Sequence, residues 1–539
     1  MDLISKYAIM RDTVYGLRVL APLLYLLFAA GCAGSAANFV APAGGVVTPA
    51  NNVIAPAMGV VTAGSVVTPA YEGPYDNFRR DIDAELKDPS LYRSRTGIKI
   101  VSLKTGDVFY SRDSHLLFHP ASTLKLFTTS AALAQLGPGF RFRTVLYAVH
   151  TGSGGSSVSG SVYLKGYADP VLATGDLRAL ARDLKDSGVR AIKGDVVCDD
   201  TYLDDLPRGR GWMWDDASSC SYAEINALTV NGNCVTIGAK AGKRAADAVS
   251  LSVEPRTSYV ELVNEGTTVS SVSSNGGGRD FIHDFSVVRK WREGSNRIVA
   301  TGWLMADSDE RTFHVEVAEP SLYACTIFKE ALDSEGVKIS GTIRRGQVPA
   351  GAKEVAAHVS PPLTEIVKAV NKRSVNLFAE LILKAIGAQG DGVPGTAQKG
   401  IKRVKEFLAG LEVDVDNLEM VDGSGLSSYN LVSPDIFIEL LGAVYAQPKI
   451  RDAFMASLSI AGTDGTMRDR LTDSSGKVKA KTGFFSGTCT VSGYAVTVDG
   501  EPVAFSIMME NFLGPPDGVK AVQDRVISRI LSFKRGKTG

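Results

Sequence analysis

Pro120-Ala-Ser-Thr-Leu-Lys-Leu-Phe-Thr-Thr-Ser-Ala-Ala-Leu-Ala-Gln-Leu-Gly-Pro138 is the stretch on which the fold turns. From Thr123 to Leu136 it is apolar almost all round, which predicts a buried helix. Gly137-Pro138 then acts as a stop signal. Ser122 stands at the helix N-terminus and Lys125 three residues further on, so the two share one face. Partial positive charge and free N–H groups at that end favour a serine that must become an alkoxide. Lys125 serves as its base only after losing its own proton. Its pKa must fall from ~10.4 toward ~7–8, at a cost of roughly 3–5 kcal/mol. Apolar surroundings supply the desolvation, and a second cation nearby would add to it.

Working outward, Ile98–Ser102 and Val108–Tyr110 read as strands joined by a tight turn at Lys104-Thr-Gly-Asp107. From about residue 142 to 350 the texture changes. Short β-branched runs, as in Ser159–Leu164, Val249–Val253 and Thr312–Val317, alternate with Gly, Ser and Asn clusters. This predicts a β-rich region with few long helices. Helical periodicity returns at Leu363–Val370, Leu377–Ile386, Ile401–Leu408 and Ile436–Tyr445. The chain closes with strands Val478–Thr482, Thr490–Val498 and Val503–Met509 and a helix carrying Val519, Val522, Val526, Ile527 and Ile530 on one face. The expected architecture is a mixed α/β (α+β) domain in two segments, 76–141 and 352–534. It is interrupted by a β-rich insertion over 142–351, read as two subdomains.

Two further strings complete a chemistry with Ser122 and Lys125. Ser374-Val-Asn376 falls between two helical runs and offers a polar pair able to move a proton. Lys481-Thr-Gly483 ends a strand and offers a cation and N–H groups for a carboxylate. Each string has a decoy: Lys104-Thr-Gly106, Ser474-Ser-Gly-Lys477, Ser273-Ser-Asn275 and Ser428-Tyr-Asn430. Order and setting single out the first set. No G-x-S-x-G occurs and the 6 histidines are scattered, so a histidine triad is disfavoured. No HExxH or CxxC occurs, and neither a metal nor another cofactor is implied. Lys+Arg and Asp+Glu both number 58, and no basic stripe suggests nucleic acid.

The first 32 residues read as an export signal. Lys6, Arg11 and Arg18 precede the apolar run Val19–Ala30, which is short for a membrane span. Ala29-Ala-Gly-Cys32 follows, and Cys32 is the expected lipidation site of an exported, periplasmic lipoprotein held to its membrane by the lipid alone. Plain secretion and an uncleaved anchor are the alternatives. Residues 33–75 are Ala-, Val-, Gly-, Thr- and Pro-rich, with Gly45-Val-Val-Thr-Pro-Ala50 recurring as Ser65-Val-Val-Thr-Pro-Ala70. This reads as a tether spanning roughly 35–40 Å. Export permits disulfides. Cys220 and Cys234 are the closest pair and the expected bridge, the alternative being that all later cysteines are buried thiols.

With these motifs in place, the chain resembles the low-molecular-mass penicillin-binding proteins of the D-Ala-D-Ala carboxypeptidase/endopeptidase type (penicillin-binding protein 4 or DacB type, peptidase family S13). Ala168-Asp-Pro170, Gly211-Trp-Met-Trp214, Asp422-Gly-Ser-Gly-Leu-Ser427, Ala461-Gly-Thr-Asp-Gly465 and the long gap after Lys125 also fit that family. The resemblance implies a serine β-lactamase/DD-peptidase-like transpeptidase domain acting on peptidoglycan stem peptides and cross-links, with β-lactams as covalent inhibitors. Ser122 would be the nucleophile and Lys125 its base. Ser374 would pass a proton to the leaving amine, and Asn376 would hold substrate amide and Lys125. Lys481, Thr482 and Gly483 would bind the terminal carboxylate, and the N–H groups of Ser122 and Phe484 would form an oxyanion hole. Asp216 would receive the amino end of a diamino-acid side chain. Ser221, Ser428 and Ser486 depart from the family at an aromatic, an arginine and a glutamine. That implies looser reading of the side-chain carboxylate, or a substrate in which it is amidated or absent. Two rivals stand beside this reading: a β-lactamase-like hydrolase, although Glu380-Leu-Ile-Leu-Lys384 is not the E-x-x-L-N string of class A enzymes, and a non-turnover wall-binding scaffold or β-lactam sensor.

Overall fold

The computed structural model describes residues 75–149, 156–270, 284–474 and 476–535. The export signal with Cys32, nearly all of the tether and the Ser273-Ser-Asn275 string lie outside the described residues. Among the described residues no helix is long and apolar enough to cross a membrane.

A six-stranded antiparallel sheet organises the domain formed by the two ends of the described chain. Its order is Ser459–Ile460, Val478–Phe485, Thr488–Val496, Pro502–Glu510, Arg95–Ser102 and Val108–Arg112. The two ends of the described chain therefore meet, with Arg95–Ser102 laddered to Pro502–Glu510. Thr488–Val496 is buried on both faces, which its neighbours on either side and the helices above and below require. One face is covered by helices Asp76–Glu85 and Asp517–Ser532, whose Phe78, Ile82, Val519, Val522 and Val526 pack on Ile98, Phe109, Val491 and Phe505. The other carries the helical layer that holds the site: Lys125–Gln135, Leu363–Arg373, Asn376–Asp391, Ala397–Ala409, Pro434–Tyr445 and Pro448–Ser457. The expected all-round burial of the Lys125 helix is observed from Lys125 through Leu133.

The insertion leaves and returns on paired strands, Arg143–Ala148 against Lys353–Val359. At the crossing, Ser360 donates its N–H to the Phe142 carbonyl at 3.0 Å and its hydroxyl accepts from the Phe142 N–H at 2.9 Å. Residues 353–359 thus belong to the inserted sheet, which moves the return from the expected residue 352 to about 360. Two longer helices lie among the strands of this region. Thr174–Asp186 (13 residues) and Pro320–Ser334 (15 residues) pack together. They pack beside a five-stranded sheet ordered Ile343–Arg345, Val196–Asp199, Val162–Gly166, Arg143–Ala148, Lys353–Val359. Beyond it, Cys234–Lys240, Ser250–Glu254 and Arg311–Glu316 form one three-stranded sheet, and Glu261–Val269, Arg297–Met305 and Phe285–Arg289 form another. The structure pairs Cys220 with Cys234 (Cα–Cα 6.1 Å) and also Cys198 with Cys325 (Cα–Cα 6.0 Å). Cys489 is a buried thiol.

Candidate active site

The Lys125 helix is entered through a 3₁₀ turn, Ala121–Leu124, so Ser122 sits on a tighter coil than an α-helical reading gives it. The Lys125 Nζ lies 2.9 Å from the Ser122 Oγ, 2.6 Å from the Asn376 Oδ1 and 2.6 Å from the Ser424 carbonyl oxygen. Its side chain is fully buried. Burial lowers its pKa to about 7, against the pull of the Asp422 and Glu380 charges, which raise it. A neutral amine is therefore accessible near neutral pH, in hydrogen-bond reach of the serine it would deprotonate.

Ser374 and Asn376 occupy a break between two helices. Ser374 ends Leu363–Arg373 in the left-handed region (φ 59°), and Asn376 opens Asn376–Asp391. The break turns the chain so that Ser374 meets the Lys481 Nζ at 2.8 Å while Asn376 reaches Lys125. Asn376 also donates its Nδ2 to the Ser221 carbonyl at 3.0 Å, so the insertion helps fix its amide. Lys481 is fully buried and donates to the Thr482 carbonyl at 2.7 Å. Burial, then the Lys125 charge, push its pKa well down. Burial is the larger cause at both lysines. An arriving carboxylate would restore the Lys481 charge.

The strand Val478–Phe485 pairs with Ser459–Ile460 only at Lys479 and Ala480, so its far half presents a free edge on that side among the described residues. Thr482 on that half donates to the Thr466 hydroxyl at 2.7 Å or accepts from it. Gly483 permits the close approach of strand and 3₁₀ turn: a methyl there would lie 2.8 Å from the Pro120 carbonyl and 2.9 Å from the Ser122 amide nitrogen. Thr490, opposite Gly483 in the ladder, donates to the Pro120 carbonyl at 2.7 Å and locks the same approach.

Ser122, Ser374 and Asn376 open into a cleft of about 850 Å³. Its other walls include Asp215, Asp216, Ser221, Ser428, Phe484 and Ser486. Tyr222, its hydroxyl pushed up by burial and by Asp216, stands beside the acidic pair. Asp216 and the three departing serines are therefore brought to the same cleft. Two of the decoys are placed elsewhere, since Lys104-Thr-Gly106 is a hairpin turn and Ser474 ends a short 3₁₀ turn; in the third, Ser428 lines the cleft while Asn430 braces a loop.

Several side chains here escaped the sequence reading. Glu380, one helical turn after Asn376, accepts the N–H groups of Gly423 and Ser424 at 3.0 and 2.8 Å. It thereby fixes the carbonyl that holds Lys125. Asp422 accepts from Gly425 and Ser427 N–H and from the Asn430 side chain. It also accepts from the Trp212 indole at 3.0 Å, pinning the insertion to this loop. Arg373, directly before Ser374, lines the cleft as a cation. The i,i+4 spacing of Asn376 and Glu380 was a usable signal, Asp422 stood in the quoted Asp422-Gly-Ser-Gly-Leu-Ser427 string without a role of its own, and nothing local announced Arg373.

A fold with a serine–lysine pair on one helix, a polar pair on a helix break and a lysine on a sheet edge belongs to the penicillin-recognising class. The model of the D-Ala-D-Ala carboxypeptidase 3 (S13) family matches residues 78–529, and the chain belongs to this family. It is 36% identical over 470 residues to the D-alanyl-D-alanine carboxypeptidase of Actinomadura sp. (strain R39), covering 84% of both chains. It is 29% identical over 390 residues to the D-alanyl-D-alanine carboxypeptidase DacB of Haemophilus influenzae, covering 71% of this chain and 79% of that one. The crystal structure of penicillin binding protein 4 (dacB) from Haemophilus influenzae superposes with a TM-score of 0.73 at 25% identity, covering 84% of this chain and 99% of that one.

Proposed function

We propose that this protein hydrolyses D-alanyl bonds of peptidoglycan through an acyl-enzyme on Ser122. Membership of the S13 family makes it a serine-type D-Ala-D-Ala carboxypeptidase/endopeptidase. The observation that carries the site assignment is the buried Lys125 amine, 2.9 Å from the Ser122 hydroxyl and depressed to about pKa 7. Lys125 takes the Ser122 proton as the oxygen attacks the penultimate D-Ala carbonyl. The N–H groups of Ser122 and Phe484 receive the developing oxyanion, each donor being worth about 2.7–4 kcal/mol. Lys481, Thr482 and Gly483 hold the terminal carboxylate at the free strand edge, and Asn376 orients the substrate amide. Ser374 relays the proton taken by Lys125 to the leaving amine, which restores the neutral Lys125, and water then releases the acyl group. Leaving D-Ala gives carboxypeptidase activity, and leaving a cross-linked diamino acid gives endopeptidase activity. A β-lactam acylates the same serine and stays. Asp216 faces the diamino-acid side chain, read loosely where Ser428 stands in place of an arginine.

The β-lactamase alternative loses its best candidate for a deacylating base, because both oxygens of Glu380 are occupied by backbone N–H groups. Release of D-Ala from a pentapeptide separates an enzyme from a non-turnover scaffold. Ser122→Ala should abolish that release together with labelling by a fluorescent penicillin; a Ser122→Ala protein that still labels would remove the assignment. The body works outside the cytoplasm, held by lipid on Cys32 at the end of the tether. Radioactive fatty acid fed to expressing cells should label the wild type and not Cys32→Ala, and an unlabelled wild type would leave plain secretion.

A further inference from the structure

A second cavity of about 740 Å³ lies behind the catalytic cleft, and Arg373 lines both. The two share thin walls. In the helix break, Ser374 and Asn376 line the cleft, whereas Val375, Leu377 and Phe378 line the groove behind it. In the insertion, Ser219, Ser221 and Tyr222 line the cleft, whereas Cys220 and its partner Cys234 line the groove. The far wall is Pro170–Gly175 with Arg178, on the first two turns of helix Thr174–Asp186.

The groove carries more cationic than anionic side chains. Arg373 and Arg178 are both exposed, and among the described residues neither guanidinium has a hydrogen-bond or ion-pair partner. Other arginines of the insertion are spoken for, as in Arg208–Glu316, Arg344–Asp195 and Arg345–Asp200. Among the described residues Glu254 is the single acidic one on the groove wall. The cleft differs, since Asp215 and Asp216 line it along with the same Arg373. Unpaired guanidiniums above an apolar floor suit a chain that carries carboxylates on aliphatic stems.

The substrate proposed above is branched, because a cross-link joins two peptides at the scissile bond and each bears free carboxylates. We propose that the groove is a second subsite, which holds the anionic peptide branch extending past Arg373 from the chain bound at Ser122. Arg373 meets a carboxylate at the junction and Arg178 one further along, while Val375, Leu377 and Phe378 pack against aliphatic side chains. This inference rests on the peptidoglycan reading, and its test needs no turnover.

In the Ser122→Ala background, a cross-linked muropeptide dimer and its uncross-linked monomer are titrated separately by calorimetry. The dimer should bind at least tenfold more tightly than the monomer. Arg178→Glu should remove most of that difference and leave monomer binding within twofold, while Arg178→Lys keeps a good part of it. With Ser122 intact, Arg178→Glu should acylate with fluorescent penicillin at the wild-type rate, which shows the cleft undamaged. Equal affinity for dimer and monomer, or a dimer preference untouched by Arg178→Glu, would overturn the subsite. Should Arg178→Glu acylate poorly, Arg178→Gln takes its place under the same criteria. Failure of the D-alanyl reading would instead show as absent D-Ala release by the wild type.

Discussion

Lys125→Met is expected to slow penicillin acylation on the order of 10³–10⁴-fold while Ser122 stays in place. Methionine nearly conserves the volume of the buried side chain, so the helix keeps its packing. What is lost is the amine 2.9 Å from the Ser122 hydroxyl, and positioned general bases contribute up to about 10⁴-fold. The pH profile carries the sharper reading. Only the neutral amine accepts the serine proton, so wild-type acylation should climb through about pH 7, where the buried Lys125 titrates, and then level off. Lys125→Met should lose that limb. Stability should follow the same group with a definite sign. The folded-state pKa of Lys125 is depressed below its unfolded value of ~10.4, so the unfolded chain binds more protons between the two. Burying the amine costs most below pH 7 and least above ~10.4, so wild type should gain stability on Lys125→Met as pH rises through that window. Second-order acylation constants and urea unfolding across pH 5–10 check both; an unchanged pH limb in Lys125→Met would remove the lysine as base.

Much of this was legible in the chain, for physical reasons that differ from element to element. The Lys125 helix declared itself because it is apolar on every side, a pattern that only a core position tolerates. The strands at 478–510 and the hairpin at 95–112 follow from β-branched runs and turn glycines. The helices of the insertion were obscured although their signals are present. Leu177, Leu180, Ala181 and Leu184 repeat at helical spacing in Thr174–Asp186, and Pro320 opens Pro320–Ser334 at its first turn. Surrounding Gly- and Ser-rich strands dominated the texture there. Cys198 and Cys325 are 127 residues apart, and only the packing of a strand on a helix brings them together.

The insertion also does more than interrupt the domain. Trp212 reaches Asp422, Asp204 reaches Lys384 at 2.5 Å, and the Ser221 carbonyl accepts from Asn376. Each of these joins a residue of the insertion to the elements that hold Lys125. No periodicity or motif spacing encodes such pairs, because each depends on two distant segments arriving at one place.

Glu380→Ala is the change expected to show how much that support is worth. Glu380 is buried, and its carboxylate accepts the N–H groups of Gly423 and Ser424. Alanine leaves both donors unpaired in the interior at about 1–3 kcal/mol each, so roughly 2–6 kcal/mol of stability should go. It also frees the Ser424 carbonyl, which holds Lys125 at 2.6 Å, so acylation should fall by at least tenfold. Glu380→Gln separates geometry from charge. Its amide oxygen still accepts, so most of the stability should return. The charged groups facing Glu380 are Asp422, Lys384 and Lys125. Burial and the Asp422 charge already push the Glu380 pKa up, and its anionic form in turn raises that of Lys125. Removing the anion should therefore shift the acid limb of acylation below the wild-type position near pH 7, while KM for a D-Ala-D-Ala peptide changes little. A Glu380→Gln protein that is as stable as wild type and keeps the wild-type limb would show that the carboxylate braces the loop without setting the charge of the base.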